Sequence, residues 1–410
     1  MTLLSVNEAR ERILSHFQSV TTESLPLAEC MNRVLAQDTT AETDLPLFDN
    51  SSMDGFAIRA LDVADANPAS PRSLRVVADI PAGASPTISL APGEAARIMT
   101  GAQMPNGADA VVPVEDTDFE NRDAGSTPPD YVKIFRPAKS GDSTRRRGMD
   151  VRAGIVVLKQ GRALKAQDLG LLAMLGFAKV EVHRKPRVGL FSSGDELLEV
   201  GAPLESGKIR DSNSYMLASL IESANVEVVR LGVAKDNFDS VKSLLERAVN
   251  ENVDLILSSA GVSVGAYDFV KGVIESNGNM DFWRVDMRPG KPLAFGEYKK
   301  IPFIGLPGNP VSAFVGFEVF VRGTLGLLSG SLDGSRQTVR VRSEEKINSD
   351  GRESYLRAQI HEENGILLAR LTGHQGSGNL LSLVQADALL IIPAGVKCVP
   401  AGQEVDAWLL

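Results

Sequence analysis

The sequence predicts a multidomain protein of the α/β plus β class, with a parallel-sheet α/β domain between β-rich regions. Two observations carry this prediction. Between about residues 183 and 330, apolar strand-like segments alternate with helical segments of roughly 10–15 residues, which is typical of a largely parallel sheet. On both sides, short β-like runs alternate with Pro/Gly turns and predict small all-β units. A chain of 410 residues has room for such a division, since about 100–200 residues form one domain.

The predicted domain boundaries lie where the pattern of predicted helices and strands changes along the chain. The first helix is predicted over 5–19, where Ser5 and Glu8 have the spacing of a capping box. A helix over 166–175 ends at Gly176, and the segments before and after the first β module are expected to pack together, so that the module is an insertion. The predicted domains are a helical/mixed linking domain (1–46 and 146–182), an inserted β domain (47–145), an α/β domain (183–330) and a small C-terminal β-barrel or sandwich domain (331–410).

Charge and composition exclude several function classes. The chain has 43 Lys+Arg and 52 Asp+Glu, a net charge of −9, which argues against a general binder of nucleic acid or anionic membranes. A local basic pocket remains compatible with this balance. Cys30 and Cys398 are the only cysteines, and the four histidines have no metal-ligand spacing, so neither a disulfide framework nor a His/Cys zinc site is expected.

The N-terminal sequence and the apolar runs bear on localisation. MTLLSVNEARERIL has no basic region followed by an apolar core, so no signal peptide is expected. The most apolar runs, 170–178 and 313–321, are too short to span a bilayer. We therefore expect a cytoplasmic protein without membrane contact.

Polar or Gly-rich loops follow the strands of the predicted α/β domain. They are 192–196, 235–237, 258–265 and 307–310, each directly after a strand-like segment. Ligands of open α/β sheets bind at the carboxyl ends of the strands. Because all these loops belong to one sheet edge, the sequence predicts a functional site there.

The loop 258–265, SSAGVSVG, has the composition of an anion cradle. Serine hydroxyls and backbone N–H groups that open a helix bind phosphates and oxyanions. No GK[ST] follows, and the pattern is not GxGxxG, so neither a Walker A loop nor a dinucleotide fingerprint is present. The alternative is a tight turn with capping serines.

The loops that end at the same predicted sheet edge also carry acidic residues, either in the loop itself or just after it. Asp195, Glu196, Asp236 and Asp268 can place several carboxylates near a bound phosphate. Carboxylates in that setting hold Mg²⁺, which takes oxygen ligands. The alternative for Asp195 or Asp268 is capping of a helix N-terminus.

Two groups of cations could meet an anion. Arg284, Arg288 and Lys291 flank a turn that Pro289 and Gly290 impose, and charge-assisted bonds from such a cluster neutralise polyanions. The run 145–147 is a second cationic candidate. For both groups a solvated basic surface is the alternative.

Two turns of the β module and one tryptophan complete the candidates. The stretch 49–57 is polar and turn-prone, and 99–102 is a turn after a strand in which Thr100 is a candidate ligand contact. Trp283 is favoured as a packing residue over a cofactor platform.

Taken together, these stretches resemble the molybdopterin molybdenumtransferases, the MoeA family, with the E domain of gephyrin as a relative. The resemblance covers nearly the whole chain in order, and the ordered set is more specific than any single motif. The matching segments are DNSSMDGFA (49–57), IMTGA (98–102), RRRGMD (145–150), SSGDEL (192–197), SSAGVSVGAYDF (258–269), RPGKPLAFG (288–296), GLPGNPVSA (305–313), GRESYLRA (351–358) and SGNLLSLVQADALLIIP (377–393).

The resemblance implies a fold and a reaction. It implies an elongated four-domain subunit with a MogA-like molybdopterin-binding α/β domain, in a homodimer whose β domain reaches toward the partner's site. The implied reaction inserts molybdate into adenylylated molybdopterin and releases AMP, with Mg²⁺ or a similar divalent ion assisting. Other molybdenum-cofactor biosynthesis proteins are further expected partners. The alternatives are a scaffold of the gephyrin-E type and a MogA-type molybdopterin adenylyltransferase.

By motif, the resemblance implies catalytic roles for Asp54, Asp150, Glu196, Asp236 and Asp268, with Glu196 and Asp236 as metal ligands. The loops and the motifs together nominate a larger substrate-binding set. Its members are Thr100, Ser192, Ser193, Gly194, Asp211, Ser212, Asn213, Ser258, Gly261, Ser263, Gly265, Arg284, Arg288, Lys291, Pro307, Gly308 and Pro310.

The chain departs from the family pattern at a few positions. Arg284 and Arg288 stand where members often have lysine, which keeps the charge and adds a bidentate fork. Ala260 replaces the first glycine of a usual pair, and Tyr267 stands where a small residue is common. These departures bear on substrate affinity rather than on the class of reaction.

Overall fold

The computed structural model describes residues 3–119, 126–259, 267–331 and 336–410, without the side chains of residues 267, 268 and 282. The chain forms two compact units. The first unit comprises Met1–Gln37, Gln160–Leu169 and Ala178–Leu410, and the second unit comprises Asp38–Lys159 and Gly170–Phe177. The predicted four-domain boundaries remain a prediction beside this division.

The N-terminal segment contains two short strands and the predicted capped helix. The Ser5 Oγ accepts from the Glu8 N–H at 3.2 Å, and the Glu8 carboxylate accepts from the Ser5 N–H at 2.9 Å. The helix is shorter than the predicted 5–19, because Ser15 Oγ donates to the Arg12 carbonyl at 2.7 Å and ends it. The elements are β1 Leu3–Leu4, α1 Val6–Leu14 and β2 Thr22–Pro26.

The second unit holds a five-stranded sheet in the order β8-β5-β7-β6-β9. Its elements, with the helix that follows, are β3 Thr39–Thr40, β4 Asn50–Ser51, β5 Gly55–Ile58, β6 Arg72–Ile80, β7 Glu94–Ile98, β8 Ala110–Pro113, β9 Tyr131–Ile134, β10 Thr144–Arg145, β11 Val156–Leu158 and α2 Ala166–Met174. Gly55 lets β5 approach β8, since a Cβ there would lie 2.1 Å from the Val112 carbonyl oxygen. Strands β3 and β11, which precede and follow the five-stranded sheet in the chain, pair with each other in an antiparallel orientation.

The predicted alternation of strands and helices is confirmed from residue 179 to 328. The elements are β12 Lys179–His183, β13 Arg187–Ser193, β14 Leu197–Leu198, β15 Ile209–Arg210, α3 Asn213–Ser223, β16 Glu227–Ala234, α4 Phe238–Asn250, β17 Leu255–Ser259, α5 Tyr267–Glu275, β18 Gly278–Val285, β19 Met287–Arg288, β20 Pro292–Tyr298, β21 Ile301–Leu306, α6 Pro310–Gly316 and α7 Arg322–Leu328. A π-helical segment, Phe317–Val321, joins α6 to α7.

Six of these strands, together with β1, form a seven-stranded sheet in the order β1-β18-β20-β21-β17-β13-β16. Strand β13 pairs in parallel with β16 and β17, and β17 pairs in parallel with β21. Only β20 runs antiparallel to its two neighbours in this sheet. Apolar clusters cover both faces, as a parallel sheet requires.

The helix Pro310–Leu328 is long and apolar enough to cross a membrane by length and composition, with mean hydropathy 1.5. It extends beyond the apolar run 313–321, but 78% of its most apolar 18-residue stretch is buried inside the protein. Its Glu318 is buried and accepts from Arg322 at 2.8 Å and Arg336 at 2.9 Å. Burial within the protein accounts for the apolar composition of this helix.

The C-terminal strands close into a small barrel, as predicted. Strand β24 pairs with both β25 and β26, so that the ring β24-β25-β22-β28-β26 returns to β24. Closure leaves the apolar faces inside. The elements are β22 Thr338–Ser343, β23 Ile347–Asn348, β24 Glu353–Glu363, β25 Ile366–Leu371, α8 Leu380–Val384, β26 Ala388–Ile392, β27 Cys398–Val399 and β28 Glu404–Leu409.

Candidate active site

The carboxyl ends of the sheet strands meet at one edge of the first unit. The parallel strands β16, β13, β17 and β21 end there, and β18 ends at the same edge because antiparallel β20 lies between β18 and β21. The predicted loops therefore follow one another along this edge in a definite order. The basic turn after β18 stands at one end, and the loop 235–237 after β16 stands at the other.

Asn213, at the start of α3, joins two of these loops. Its Nδ2 donates to the Ser259 Oγ and to the Gly308 carbonyl, both at 2.7 Å. Its Oδ1 is buried and has no hydrogen-bond partner among the described residues. The amide thus holds the ends of β17 and β21 together and leaves an acceptor for a ligand.

Asp211 organises the end of β13. It is 5% exposed and accepts from the Ser192 Oγ at 3.3 Å, and from the N–H (3.1 Å) and Oγ (2.5 Å) of Ser214. The neighbouring Ser193 Oγ is buried without a partner in the described part of the chain. An orphaned buried hydroxyl costs about 1–3 kcal/mol, so it marks a position where a ligand would complete the bonding.

Other predicted binding residues lie at the same edge. Ser258 is fully buried at the end of β17, Ser212 is exposed before α3, and Pro307 is buried after β21. Pro310 occupies the first turn of α6, where its missing N–H is no loss. The predicted cradle residues Gly261, Ser263 and Gly265, with Ala260, lie outside the described residues.

Two aspartates face each other across the β13 and β16 loops. The Asp236 N–H donates to Asp195 Oδ1 at 3.2 Å, and the Asp195 N–H is 3.4 Å from Asp236 Oδ2. Helix capping does not explain them, because Asn237 caps α4 and Asp195 precedes the strand β14. Two carboxylates are therefore available at this end of the edge.

Glu196 lies beside Gly194. Gly194 has a φ of 146°, and a Cβ at that position would lie 2.4 Å from a Glu196 carboxylate oxygen, so the turn requires glycine. Among the described residues, no three His, Cys, Asp or Glu side chains form a group that could hold a metal ion. The Asp268 side chain is outside the described part of the structure. Glu196 and Asp236 as the metal ligands thus stay a prediction.

The predicted cations occupy the opposite end of the edge. Arg284 and Lys291 are exposed on either side of the turn between β18 and β20. Arg288 lies in β19, and its Nη1 is 3.8 Å from the Asp350 carboxylate of the barrel. The hydrogen bond from Arg352, and to a lesser degree the charges of Arg352 and Arg288, lowers the pKa of Asp350 to about 2.

Arg357 of β24 joins this cationic group, although it lies outside the loops that the sequence nominates. Its side chain is fully buried, Nε donates to Ser382 Oγ at 3.1 Å and Nη2 to the Gly376 carbonyl at 3.1 Å. Its Nη1 has no partner among the described residues. Burial, and then the nearby Arg288 charge, lowers its pKa to about 10, which leaves the guanidinium charged at neutral pH.

One sequence signal could have identified Arg357. It is an arginine inside the motif GRESYLRA, within the half of β24 where every residue from Ser354 to Ala358 is buried. Because arginine is almost never fully buried without a partner, such a position indicates a charged ligand or a counter-ion. The Val311 N–H donates to the Ser377 carbonyl at 3.0 Å, which places this barrel loop beside the start of α6.

The remaining predicted residues lie in the second unit. Asp54 Oδ1 accepts from both the N–H and the Oγ1 of Thr100, at 2.7 Å each. Both residues line a cavity of about 230 Å³ with Phe56 and the buried Arg97. The stretch containing Asp54 and the turn containing Thr100 are thus one local structure.

The arginine run 145–147 is partly engaged in ion pairs. Arg145 pairs with Asp150, and Arg147 Nε donates to Asp44 at 2.7 Å. The first cause of the lowered pKa of Asp44 is the Ala153 N–H, and Arg147 adds to it. Two of the three arginines are thus engaged by acids of the same unit, and a role of the run in binding an anion stays a prediction.

Trp283 is a packing residue. Its ring is 8% exposed and stacks on Phe295 at a centroid distance of 5.5 Å, with Arg12 over it at 5.9 Å. The ring is thus enclosed between α1 and the sheet.

Family models match the chain in three consecutive regions. Residues 4–176 match the MoeA N-terminal region (domain I and II), residues 189–326 a probable molybdopterin-binding domain, and residues 340–410 the MoeA C-terminal region (domain IV). The matches therefore include the second unit, the sheet edge and the barrel.

Similar proteins extend over the whole chain. The molybdopterin molybdenumtransferase of a Nostoc species is 39% identical over 94% of this chain and 88% of its own. The molybdopterin molybdenumtransferase 2 of Mycobacterium tuberculosis is 38% identical over 98% and 99%. The crystal structure of the molybdopterin biosynthesis moeA protein of Pyrococcus horikoshii OT3 covers all of both chains at 33% identity, with a TM-score of 0.83. The chain belongs to the MoeA family of molybdopterin molybdenumtransferases.

Proposed function

We propose that this protein inserts molybdate into adenylylated molybdopterin and releases AMP. The observation that carries the proposal is the fully buried Arg357, whose Nη1 has no described partner and which lies near Arg288 at the basic end of the sheet edge. A buried guanidinium with an open donor and a second cation nearby suits a small oxyanion.

The basic end of the edge is the proposed molybdate subsite. Arg357 offers Nη1, while its Nε and Nη2 are held by Ser382 and Gly376, so the guanidinium plane is fixed before the anion arrives. Lys291 is exposed on the same turn as Arg288 and adds a mobile positive charge. A fixed buried donor and a mobile cation together attract and orient a dianion.

The middle of the edge is the proposed site for the phosphates of the adenylylated substrate. The Ser193 hydroxyl is buried and unpartnered, and the Asn213 Oδ1 is an orphaned acceptor among the described residues. The Ser193 hydroxyl donates to a phosphate oxygen, and the Asn213 acceptor takes a substrate hydroxyl or an ordered water. Binding thus restores the hydrogen bonds that folding left incomplete.

The acidic end of the edge is the proposed position of Mg²⁺. Asp195 and Asp236 fit the group, because protein sites for Mg²⁺ supply one or two carboxylates and leave the other positions to water and substrate phosphates. When bound, Mg²⁺ supplies charge stabilisation to the phosphoanhydride that is cleaved. Glu196 and Asp268 are the further acids that we propose for this end.

The assembly and location are also proposed. We infer a homodimer, and we propose binding or catalytic roles for Asp54, Thr100 and Asp150 of the second unit. The hydrogen-bonded Asp54–Thr100 pair, which lines its own cavity, supports a binding role for that unit. A cytoplasmic location and contact with other molybdenum-cofactor biosynthesis proteins complete the proposal.

Release of AMP tests the function directly. Purified protein is incubated with adenylylated molybdopterin, Mg²⁺ and increasing molybdate, and AMP is measured by chromatography. The proposal predicts AMP release that saturates with molybdate. No release in the presence of bound substrate would overturn it, and production of the adenylylated compound from molybdopterin and Mg-ATP would identify the adenylyltransferase instead.

A scaffold of the gephyrin-E type makes a different prediction. Such a protein would bind a stoichiometric peptide partner and would bind no pterin. Measuring both kinds of binding on the same preparation separates the two functions.

A further inference from the structure

A cavity of about 330 Å³ lies beside the acidic end of the sheet edge and has no role in the function proposed above. Its wall combines the last strand of the sheet with the first turn of α3. The residues that form the argument are Leu190, Glu199, Asp211, Tyr215, Arg230 and Val233.

The cavity contains an exposed aromatic–guanidinium pair. The Arg230 guanidinium lies over the Tyr215 ring at 5.3 Å, and the Tyr215 side chain is 53% exposed although it adjoins a cavity. Heteroaromatic rings stack on both tyrosine rings and guanidinium planes. The pair is therefore a platform for a planar ring.

The remaining walls of the cavity are apolar and can pack against the flat faces of a planar ring. Val200 and Val233 are 46% and 40% exposed, and Leu190 closes the floor. At Gly232 no heavy atom lies within 4 Å of a notional Cβ, so that side stays open. A planar heterocycle would bury these apolar surfaces, which solvent now contacts.

The carboxylate of Glu199 is a hydrogen-bond acceptor that lines the cavity. Glu199 is exposed, and within the described part of the chain no hydrogen bond or ion pair engages its carboxylate. A carboxylate accepts from the amino group of a heterocycle. The Glu199 carboxylate would therefore favour a heterocycle with an amino group over one without it.

The cavity is connected to the proposed phosphate position. Asp211 lines it and also accepts from Ser192 at the end of β13. Leu190 precedes Ser192 by two residues, about 7 Å along the strand. A nucleotide with its phosphate at the strand end can therefore place its base in the cavity.

The strand order of the sheet indicates which of the two heterocycles of the substrate, pterin or adenine, would occupy the cavity. Arg288 lies in β19, just before β20, and β19 pairs with β24, which carries Arg357; the cavity lies at β16, four strands from β20, or about 20 Å. The pterin carries the sulfur atoms that receive molybdate, so it belongs at the basic end. The adenine is the heterocycle that remains for the cavity.

We propose that this cavity is the adenine subsite, in which Tyr215 and Arg230 stack on the base and Glu199 accepts from its 6-amino group. The inference rests on the proposed function, because that function supplies the adenylylated substrate. It assigns Tyr215 and Glu199 as specificity-determining residues.

Binding of AMP to variants tests the subsite. By isothermal titration calorimetry with Mg²⁺, Tyr215→Leu should bind AMP about tenfold more weakly, since base stacking contributes strongly to nucleotide affinity. Glu199→Ala should weaken AMP about fivefold and leave purine riboside 5′-monophosphate, which lacks the 6-amino group, unchanged. Glu205→Ala on the same loop and Tyr131→Leu on the second unit are the matched controls.

Each outcome decides the inference separately from the function. Unchanged AMP affinity in Tyr215→Leu with a wild-type melting temperature would overturn the subsite, even if the protein releases AMP normally in the molybdate assay. Equal losses for both nucleotides in Glu199→Ala would overturn the role of that carboxylate. Tyr215-dependent AMP binding in a protein that releases no AMP from its substrate would instead overturn the proposed function and leave the subsite standing.

Discussion

The two ends of the sheet edge are built in opposite ways. At the basic end, Arg357 is fully buried and held by two hydrogen bonds to the barrel. At the acidic end, Asp195 is exposed and is held to Asp236 by backbone-to-carboxylate contacts of 3.2–3.4 Å. One end presents a rigid cation, and the other presents accessible carboxylates.

The difference agrees with the chemistry that we assign to each end. A small oxyanion gains from donors that are already oriented, because the guanidinium is desolvated during folding rather than during binding. Mg²⁺ retains several waters, so its carboxylates must stay accessible to solvent and substrate. Variants at each end can therefore break or sharpen this contrast.

The largest effect is expected at Arg357. Arg357→Met removes the fixed donor, and the molybdate concentration for half-maximal AMP release should rise about 100-fold, since hydrogen bonds to charged groups contribute about 1.5–3 kcal/mol each. Titration of AMP release with molybdate measures it. Arg342→Met, in β22 of the same barrel, is the matched control and should leave the molybdate dependence unchanged.

Arg357→Lys separates charge from geometry. It should recover part of the affinity, because lysine keeps the charge and lacks the planar fork. A wild-type molybdate dependence in Arg357→Met would refute the assignment of the basic end.

The next effect is expected at Asp236. Asp236→Asn removes one carboxylate charge, and the Mg²⁺ concentration for half-maximal AMP release should rise about tenfold while the molybdate dependence stays constant. The rate is measured against Mg²⁺ at saturating molybdate. Asp239→Asn, in the first turn of α4, is the control. A shift in the molybdate dependence instead would mean that the two ends do not act separately.

A smaller effect is expected in the middle of the edge. Ser193→Ala removes a buried hydroxyl without a described partner, so the free energy of unfolding should rise by about 1–3 kcal/mol, because the unsatisfied group is gone, while KM for the adenylylated substrate rises several-fold. Urea unfolding and AMP-release kinetics measure the two quantities.

Ser192→Ala is the contrasting variant. Its hydroxyl contacts Asp211 and Ser214, so its loss should destabilise the protein by about 1 kcal/mol. If both variants lower stability equally and leave KM unchanged, Ser193 is a structural residue.

The smallest effect is expected at Asp350, which shields Arg288. Asp350→Asn removes the carboxylate 3.8 Å from Arg288, and molybdate affinity should rise by about two- to fivefold, as exposed ion pairs are weak. Titration of AMP release with molybdate measures this gain. No gain in affinity would show that Asp350 does not compete with the substrate for Arg288.

The same variant has a pH signature. The pKa of Asp350 is lowered to about 2, so its ion pair stabilises the fold above the unfolded value of about 3.9 and this contribution is lost as pH falls toward 2. Asp350→Asn should therefore lose less stability than the wild type between pH 4 and pH 2, measured as the urea midpoint. Asp406→Asn in the same barrel is the control, and parallel pH curves for Asp350→Asn and wild type would contradict the expectation.

Much of the fold was predictable from local sequence. Strand and helix periodicities, the capping box at Ser5 and the Gly-rich loops after strands each depend on neighbouring residues. Parallel strands place their carboxyl ends at one edge, so the amino-acid pattern alone assigned the loops 192–196, 235–237 and 307–310 to a common edge. The helix end at Leu14 was missed, because side-chain bonds from Ser15 and His16 to the Arg12 carbonyl ended it early.

Sequence by itself therefore determined the fold class, the order of β-rich and α/β regions along the chain, and the loops that carry the candidate site. Tertiary structure decided which charges are buried and which groups meet. Closure of the barrel buries Arg357 against Ser382, and Asn213 joins Ser259 to Gly308 across 46 and 95 residues of chain. Burial and pairing at such separations are properties of the packed chain, since they depend on which distant segments exclude water together.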